Sequence, residues 1–560
     1  MHKIGGCNVD AVTLIKQATG LGLSFVVNGE NLNITGKQTP ATVALMPLIG
    51  RSKAEIIAEL STNGNGHHAD RTANELPTGL NVVNYRSEDG GIMDAWLDYY
   101  GDEWVFVVGP DKWYYWNNTH WAEDTHLSIR KQIVDLMDYM NLQCADLMRT
   151  APGKIRGISA KYAAAGVDIP DIALKEIERI KSEAGAAKTM HAATRRSSSR
   201  LSSVETMSRP KRGVAVNRIN VDESLNLSNG TLSLKSLELR PHSKDDLFTY
   251  CLDYEYDPNA DCPLFKKYIA DVLVTENTIT TDENLVMLFQ ELLGYSLTPD
   301  TRHEVMVWMF GEGGNGKSVA ISVVEALLGP MSMSIDFQTI GMPGNYDLAD
   351  IPGKRVLLST EAERNKTMAE GYIKRIVTGD TINTRPIYGS PLSFRSTAKI
   401  WWAMNDRPII KDTTDSMWRR MKLIPFFRKF EEGKNADVDL PVKLMAELPG
   451  ILNWAIEGLM RLALNGRFTK SVASEEAKLQ YREEANPVAQ WVNTMTVRTN
   501  YPATLQGALF KEYTRWCQEQ NERAITSTQF GKDLKRLRIE CDRKTAGMMY
   551  NVALINGISM

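Results

Sequence analysis

Apolar positions along this chain change period several times, and each change predicts an element. Val9 to Gly20 carries Val12, Leu14, Ile15 and Ala18 at helical spacing. Leu23 to Val27 and Leu32 to Thr35 are short runs either side of Asn28-Gly29, which predicts a β-hairpin. Ser52 to Leu60 predicts a second helix, with Ser52 and Glu55 spaced as a capping box. An αββα unit over residues 1–60 is too small for a deep active site, and a docking or oligomerisation module is expected there, with a plain folded cap as the alternative. Residues 61–85 begin polar and Gly/Asn-rich and read as a linker. Its His67-His68 pair has no partner at ligand spacing and reads as solvated.

From 86 to 300 the pattern is mixed α/β. Trp104, Trp113, Tyr114, Tyr115, Trp116 and Trp121 fall in short runs broken by Gly109-Pro110-Asp111 and Asn117-Asn118. That pattern predicts sheet packing in preference to base stacking. Leu127 to Met148 predicts an amphipathic helix. Arg195 to Arg218 is serine-rich and basic, and two readings stand: a strip that contacts phosphates, or a solvated mobile segment.

Periodicity is sharpest between 301 and 467. Val305 to Phe310 predicts a strand, and Val319 to Leu328 predicts a helix stopped by Gly329-Pro330. Between them lies Gly311-Glu312-Gly313-Gly314-Asn315-Gly316-Lys317-Ser318, of the form G-x-x-x-x-G-K-S, followed by Val319. Strand, glycine loop and helix are the context that a polyphosphate cradle requires, with backbone N–H groups turned inward at the positive helix end. Lys317 is expected to meet the β- and γ-phosphates and Ser318 to ligand Mg²⁺. Lys354 to Glu363 predicts a second strand ending in acid. Glu361 and Glu363 share one face of an extended chain, so both could hold Mg²⁺ or orient the attacking water.

Thr381 to Arg395 predicts two short strands around Pro386 to Pro391, with Tyr388-Gly389-Ser390 at the tip. Lys374, Arg375, Arg385, Tyr388 and Arg395 suit a hairpin that holds one DNA strand; a solvated basic hairpin has the same composition. The strand Ile400 to Met404 ends in Asn405, whose amide could sense the γ-phosphate. Arg419 and Arg420 precede the strand Met421 to Phe427, where an arginine could complete a neighbouring subunit's site. Beyond 468, helices at Ser474–Glu484, Val488–Thr496, Leu505–Gln518 and Ser527–Arg538 precede a strand pair closed by Met549–Ile555. Two helices and a terminal hairpin predict a small winged-helix-like domain. Its basic helix (Lys532, Lys535, Arg536, Arg538) suits a DNA groove or a plain solvated face.

Composition narrows the classes. The 43% hydrophobic and 24% charged content is that of a soluble globular protein, and the net charge of −3 requires any nucleic-acid site to be a local patch. Six scattered cysteines without a C-x-x-C pair argue against a structural zinc and a disulfide scaffold, and point to a reducing cytoplasm. No signal pattern or long apolar run calls for a membrane partner.

The order GEGGNGKS, RVLLSTEAE, KRIVTGDTINTRPIYGSPLSF, KIWWAMNDRP and WRRMKLIPF resembles the superfamily 3 helicase domain. In particular it is similar to the phage and plasmid primase-helicase family that includes the poxvirus-type enzymes. The upstream segments NLSNGTLSL, YDPNADCPLF and LFQELLGYSL resemble the domain that precedes the helicase there, so the resemblance covers roughly residues 90–465. It implies an α/β, AAA+-like P-loop core using ATP and Mg²⁺. Lys317 and Ser318 would be Walker A, Glu361 and Glu363 Walker B, Asn405 sensor 1, and Arg419 or Arg420 the arginine finger. It also implies ring hexamers that move along single-stranded or forked DNA, generally 3′ to 5′. Gly389 departs from relatives that carry a lysine after the tip aromatic, which leaves Tyr388 more of that contact. About 85 residues precede the family-like region, fewer than a priming domain needs. The expected function is an ATP-dependent DNA helicase for replication of a phage, plasmid or mobile element, without its own primase domain. An origin-binding initiator, a small-molecule kinase and an ATP switch remain as alternatives.

Overall fold

The computed structural model describes residues 80–555 apart from 277, 343–344, 361–367, 387–388, 409, 411–414, 432–436 and 521–523, together with 23–28, 31–36, 49 and 53. In the first sixty residues it bears out the predicted hairpin: β1 (Leu23–Asn28) pairs antiparallel with β2 (Asn31–Gly36). The helices expected around it, the docking role and His67-His68 lie outside the described residues.

The next unit contains α1 (Asp89–Tyr100), β3 (Trp104–Val108), β4 (Lys112–Trp116), β5 (Trp121–Glu123), α2 (Ser128–Ala164), α3 (Asp171–Ala193), α4 (Ser198–Ser208) and β6 (Gly213–Ala215). Its sheet order is β5-β4-β3-β6. The aromatics do pack: Trp96, Trp104 and Trp113 lie with ring centroids 6.0–6.3 Å apart in one core. The indole N–H groups of Trp96 and Trp104 both donate to Gln132 Oε1, at 3.1 and 2.9 Å. Leu80 and Val82, inside the stretch read as linker, are buried in this core.

Two expectations are corrected here. The helix read to Met148 runs on to Ala164, straight through Pro152. A proline costs a helix one backbone bond, but α3 folds back along α2 and buries Ala151, Ile177 and Ile180 there. The basic stretch Arg195–Arg218 forms regular structure and not a mobile segment. Its centre is α4, capped by Ser197, and four of its six arginines pair with carboxylates: Arg196 with Asp138, Arg200 with Asp89, Arg209 with Glu205 and Arg212 with Asp102, while Arg195 and Arg218 are exposed.

The largest unit follows in chain order: β7 (Ser224–Leu227), β8 (Gly230–Ser233), β9 (Leu239–Arg240), α5 (Pro263–Val272), α6 (Glu283–Ser296), β10 (Met306–Phe310), α7 (Lys317–Leu328), β11 (Ser332–Ser334) and β12 (Val356–Ser359). Then come α8 (Glu370–Thr378), β13 (Thr381–Thr384), β14 (Leu392–Arg395), β15 (Lys399–Met404), α9 (Asp415–Trp418), β16 (Met421–Pro425), α10 (Leu440–Met445), α11 (Leu448–Asn465) and α12 (Val472–Glu484). Its sheet is parallel, in the order β11-β12-β15-β10-β16.

Both faces of this sheet are covered, which is why its strands read as unbroken apolar runs. Val307, Met309, Trp401 and Ala403 point into one core, and Met306, Trp308, Ile400 and Trp402 into the other. The first core draws on residues from Leu225 to Leu297 as well as from Val305 onward, so packing is continuous across position 300. Helices α6 and α11 meet closely there. A Cβ on Gly294 would lie 2.2 Å from the Ala455 carbonyl oxygen, and one on Gly458 2.4 Å from that of Gln290.

The last unit has its own core and comprises α13 (Pro487–Met495), β17 (Thr496–Arg498), β18 (Thr504–Leu505), α14 (Gln506–Glu519), α15 (Ser527–Arg536), β19 (Cys541–Lys544), β20 (Gly547–Tyr550) and β21 (Val552–Leu554). The closing strand expected over Met549–Ile555 is divided at Asn551. Tyr550 pairs with Thr504 and Cys541, whereas Val552 pairs with Arg498 in a separate ladder. Among the described residues no helix is long and apolar enough to cross a membrane. The whole is a mixed α/β protein.

Candidate functional site

Strand β10 stops at Phe310 and α7 starts at Lys317, so Gly311–Gly316 form a tight loop at the carboxyl end of the parallel sheet. Gly314 (φ +75°) and Gly316 (φ +92°) hold left-handed conformations that glycine adopts without strain. Gly311 is needed for space: a Cβ there would lie 2.1 Å from Asn315 Nδ2 and 2.5 Å from the Phe426 carbonyl oxygen. Gly313 faces open space.

Lys317 is buried, 6% exposed, and its ammonium lies across the loop. Nζ donates to the carbonyl oxygens of Gly311 (2.8 Å) and Glu312 (2.9 Å) and to Asn315 Oδ1 (2.8 Å). Burial pushes its pKa down to about 8. Asn315 Nδ2 donates to the Phe426 carbonyl at 3.0 Å, and the Phe430 amide donates to the Gly314 carbonyl at 2.7 Å. From α5, the Tyr268 hydroxyl donates to the Gly316 carbonyl at 2.9 Å, and Asp271 accepts from Arg428 at 2.5 Å. The loop is thus held between α5 and the segment after β16. Ser318 and Glu312 are exposed beside it, and Val319 is half-buried.

Strand register locates the other candidates. Phe310 is opposite Met404, so Asn405 emerges next to Gly311 at the same end of the sheet. Ser359 ends β12 opposite Trp402. Glu361 and Glu363, which follow it, lie outside the described residues, as does Tyr388. Arg419 and Arg420 precede Met421, which is opposite Met306 at the start of β10. Four strand steps of about 3.3 Å put Met421 about 13 Å from the glycine-loop end, and the two arginines lie farther still. The chain does not bring them to its own Lys317. The two differ in surroundings. Arg420 is 9% exposed at its side chain, bonded to Ser416, and 2.7 Å from Glu304. Arg419 is 64% exposed and 3.4 Å from the same carboxylate.

The basic hairpin forms as expected, with Thr381 opposite Arg395 and Ile382 opposite Phe394. Its apolar residues Ile382, Leu392 and Phe394 are buried, which leaves Arg385 and Arg395 exposed. Arg385 donates to the Gly389 carbonyl (2.9 Å) and braces the turn. On α8, Arg375 is exposed and Lys374 lies 3.9 Å from Glu370.

Three residues in contact with the site or its candidate arginines were not singled out from sequence. Tyr268 has no local signal, and Glu304 is a lone acid in a turn. Arg407 had one, as the cation two residues after Asn405. Its guanidinium lies 4.0 Å over the Phe310 ring and pairs with Glu484 on α12. As a whole, the loop, the buried ammonium and the helix amino end suit a polyanion with a bound divalent cation at Ser318: Lys317 lies across the loop, bonded to its oxygens and to no carboxylate among the described residues.

Residues 94–274 match the family model described as D5 N terminal like, and residues 309–420 match a family of unknown function (DUF5906). A protein of Acanthamoeba polyphaga mimivirus, named "Putative helicase L207/L206", is 25% identical over 307 residues, which is 50% of this chain and 32% of that protein. "Putative helicase 121R" of Invertebrate iridescent virus 3 is 25% identical over 213 residues, 36% of this chain and 22% of its own. The chain spans less than a third of these relatives' length. A solved apo structure of the NrS-1 C-terminal region covers 55% of this chain and 80% of its own at 12% identity, with a TM-score of 0.33. The family and relative matches bear out the resemblance to the D5-type primase-helicase family that the motif order carried.

Proposed function

We propose that this protein is an ATP-dependent DNA helicase of the superfamily 3 type that serves replication of a virus, phage or other mobile element. One observation carries the reading: a glycine loop with a buried lysine ends an interior strand of a five-stranded parallel sheet, and Asn405 from the adjacent strand emerges beside it. The order β11-β12-β15-β10-β16, with the loop strand second from one edge, supports an AAA+-like P-loop core.

In this reading the loop amides and Lys317 hold the triphosphate, and Ser318 with Glu361 holds Mg²⁺, which neutralises charge on the phosphates. Glu363 and Asn405 orient the attacking water. Arg419, exposed at the far end of the sheet, serves the site of a neighbouring subunit, so that hydrolysis requires a homo-oligomer, with a hexameric ring as the expected form. Arg420 is a framework residue, buried and bonded within its own subunit. Lys374, Arg375, Arg385, Tyr388 and Arg395 track one DNA strand through the hairpin.

The test is unwinding of a forked duplex, with ATP hydrolysis measured with and without single-stranded DNA, for wild type and Lys317→Ala. DNA-stimulated hydrolysis and unwinding by the wild type, both lost in the variant, are expected. Hydrolysis without unwinding would favour a second reading, an origin-binding initiator. That reading has its own support: the last unit orders three helices and a three-stranded sheet (β18-β20-β19) as a winged helix does. Lys532, Lys535, Arg536, Arg543 and Lys544 are exposed on its α15 and β19.

A further inference from the structure

We infer that Glu304 is a positioning residue for the transferred arginine: it fixes Arg420 and gives Arg419 a releasable seat. The inference rests on the reading of Arg419 as a finger acting on a neighbouring subunit, and it adds a residue that no motif marks.

Glu304 sits in the turn before β10, with its amide donating to the Thr301 carbonyl at 2.9 Å. Its backbone is left-handed, φ +46°, which a non-glycine residue adopts at a cost. The turn thereby aims the carboxylate at the start of β16. There Oε2 meets both arginines, at 2.7 Å from Arg420 and 3.4 Å from Arg419. The two bonds are unequal in surroundings as well as length. Arg420 is enclosed, holds Ser416 on α9, and its backbone carbonyl accepts from the Met306 amide at 2.9 Å. Breaking that pair would leave a buried guanidinium uncompensated. Arg419 is exposed, and an exposed pair at 3.4 Å is weak.

An asymmetric clamp follows. When Arg419 turns toward a neighbour's phosphates, Glu304 keeps Arg420 and no charge is left unpaired. The Glu304–Arg420 pair meanwhile holds the end of α9 and the start of β16, between which Arg419 sits. Glu304 is thus linked to the rate at the adjacent site and not to nucleotide binding in its own.

Trans-complementation tests this. Glu304→Gln is expected to lower the kcat of DNA-stimulated hydrolysis about ten-fold with nucleotide KM near wild type, and to lower the melting temperature because Arg420 loses its counter-charge. Lys317→Ala subunits cannot turn over but carry an intact Glu304 and Arg419. In a 1:1 random mixture, half of the Glu304→Gln sites gain a normal neighbour. Their rate per competent subunit should rise about five-fold relative to the same mixing with wild type. No rise would overturn the inference, because a defect confined to the subunit's own fold cannot be rescued by its neighbour. Glu304→Asp, which keeps the charge on a shorter arm, gives a second variant for the same mixing should Glu304→Gln not fold. An unaltered kcat in Glu304→Gln while Arg419→Ala is inactive would overturn the role of Glu304 alone. Full activity of Arg419→Ala beside an inactive Lys317→Ala would instead remove the finger reading, and Glu304 with it.

Discussion

The pKa of Lys317 gives a quantitative handle on nucleotide binding. Burial lowers the ammonium from its ordinary value to about 8, although three oxygens accept its protons. A bound triphosphate places negative charge beside it and raises that value again. Binding is thus linked to proton uptake at pH above about 8, and affinity falls as pH rises. With a free-state pKa of about 8, about 90% of the lysine is charged at pH 7 and about 3% at pH 9.5. The dissociation constant should therefore weaken about 30-fold between these values, about 2 kcal/mol. Titration of a fluorescent ATP analogue with Mg²⁺ across this range reads the effect. Lys317→Arg, whose guanidinium stays charged, should bind more weakly at pH 7 but with a flat profile. A flat wild-type profile, or an equal slope in Lys317→Arg, would refute the assignment of Lys317 as the group that meets the phosphates.

Other outcomes follow from the geometry. Gly311→Ala should displace Asn315 and weaken triphosphate binding by at least about ten-fold, whereas Gly313→Ala, which points into open space, should change it by less than about two-fold. The same nucleotide titration compares the pair. Tyr268→Phe removes the hydroxyl bond to Gly316 and should cost about 1 kcal/mol, read from the urea midpoint at unchanged slope. Gly294→Ala drives a methyl into the Ala455 carbonyl and should destabilise by about 1–3 kcal/mol in the same assay.

The parallel sheet was legible because burial on both faces writes strands as continuous apolar runs bounded by glycine or charge. Val305–Phe310 and Ile400–Met404 are such runs, Met421–Phe427 is one interrupted only by Lys422, and the hairpin around Pro386–Pro391 was equally plain. What local pattern could not carry was decided by distant partners. Pro152 ends a helix on propensity alone, and only the pairing of α2 with α3 keeps it inside one. Arg196, Arg200 and Arg212 look like a free basic strip because their carboxylates, Asp138, Asp89 and Asp102, lie 58 to 111 positions away. Leu80 and Val82 look like linker because their core is assembled later in the chain.

The same rule governs the site. The acceptors of Lys317 are all within six residues of it, so the loop could be read as a motif. Its supports could not. Tyr268 is 48 positions from Gly316, and Asp271 is 157 from Arg428. Both supports come from α5, before the sheet begins. One end of that short helix holds the loop carbonyl, and the next turn holds the segment whose Phe426 and Phe430 also bond to the loop. A shift of the glycine loop on nucleotide binding must therefore strain or break bonds to both elements, each worth about 1 kcal/mol. The region preceding the sheet is then part of the glycine loop's framework and not an attachment to it. Its core, shared across position 300, gives such a strain a packed route into α6 and α11.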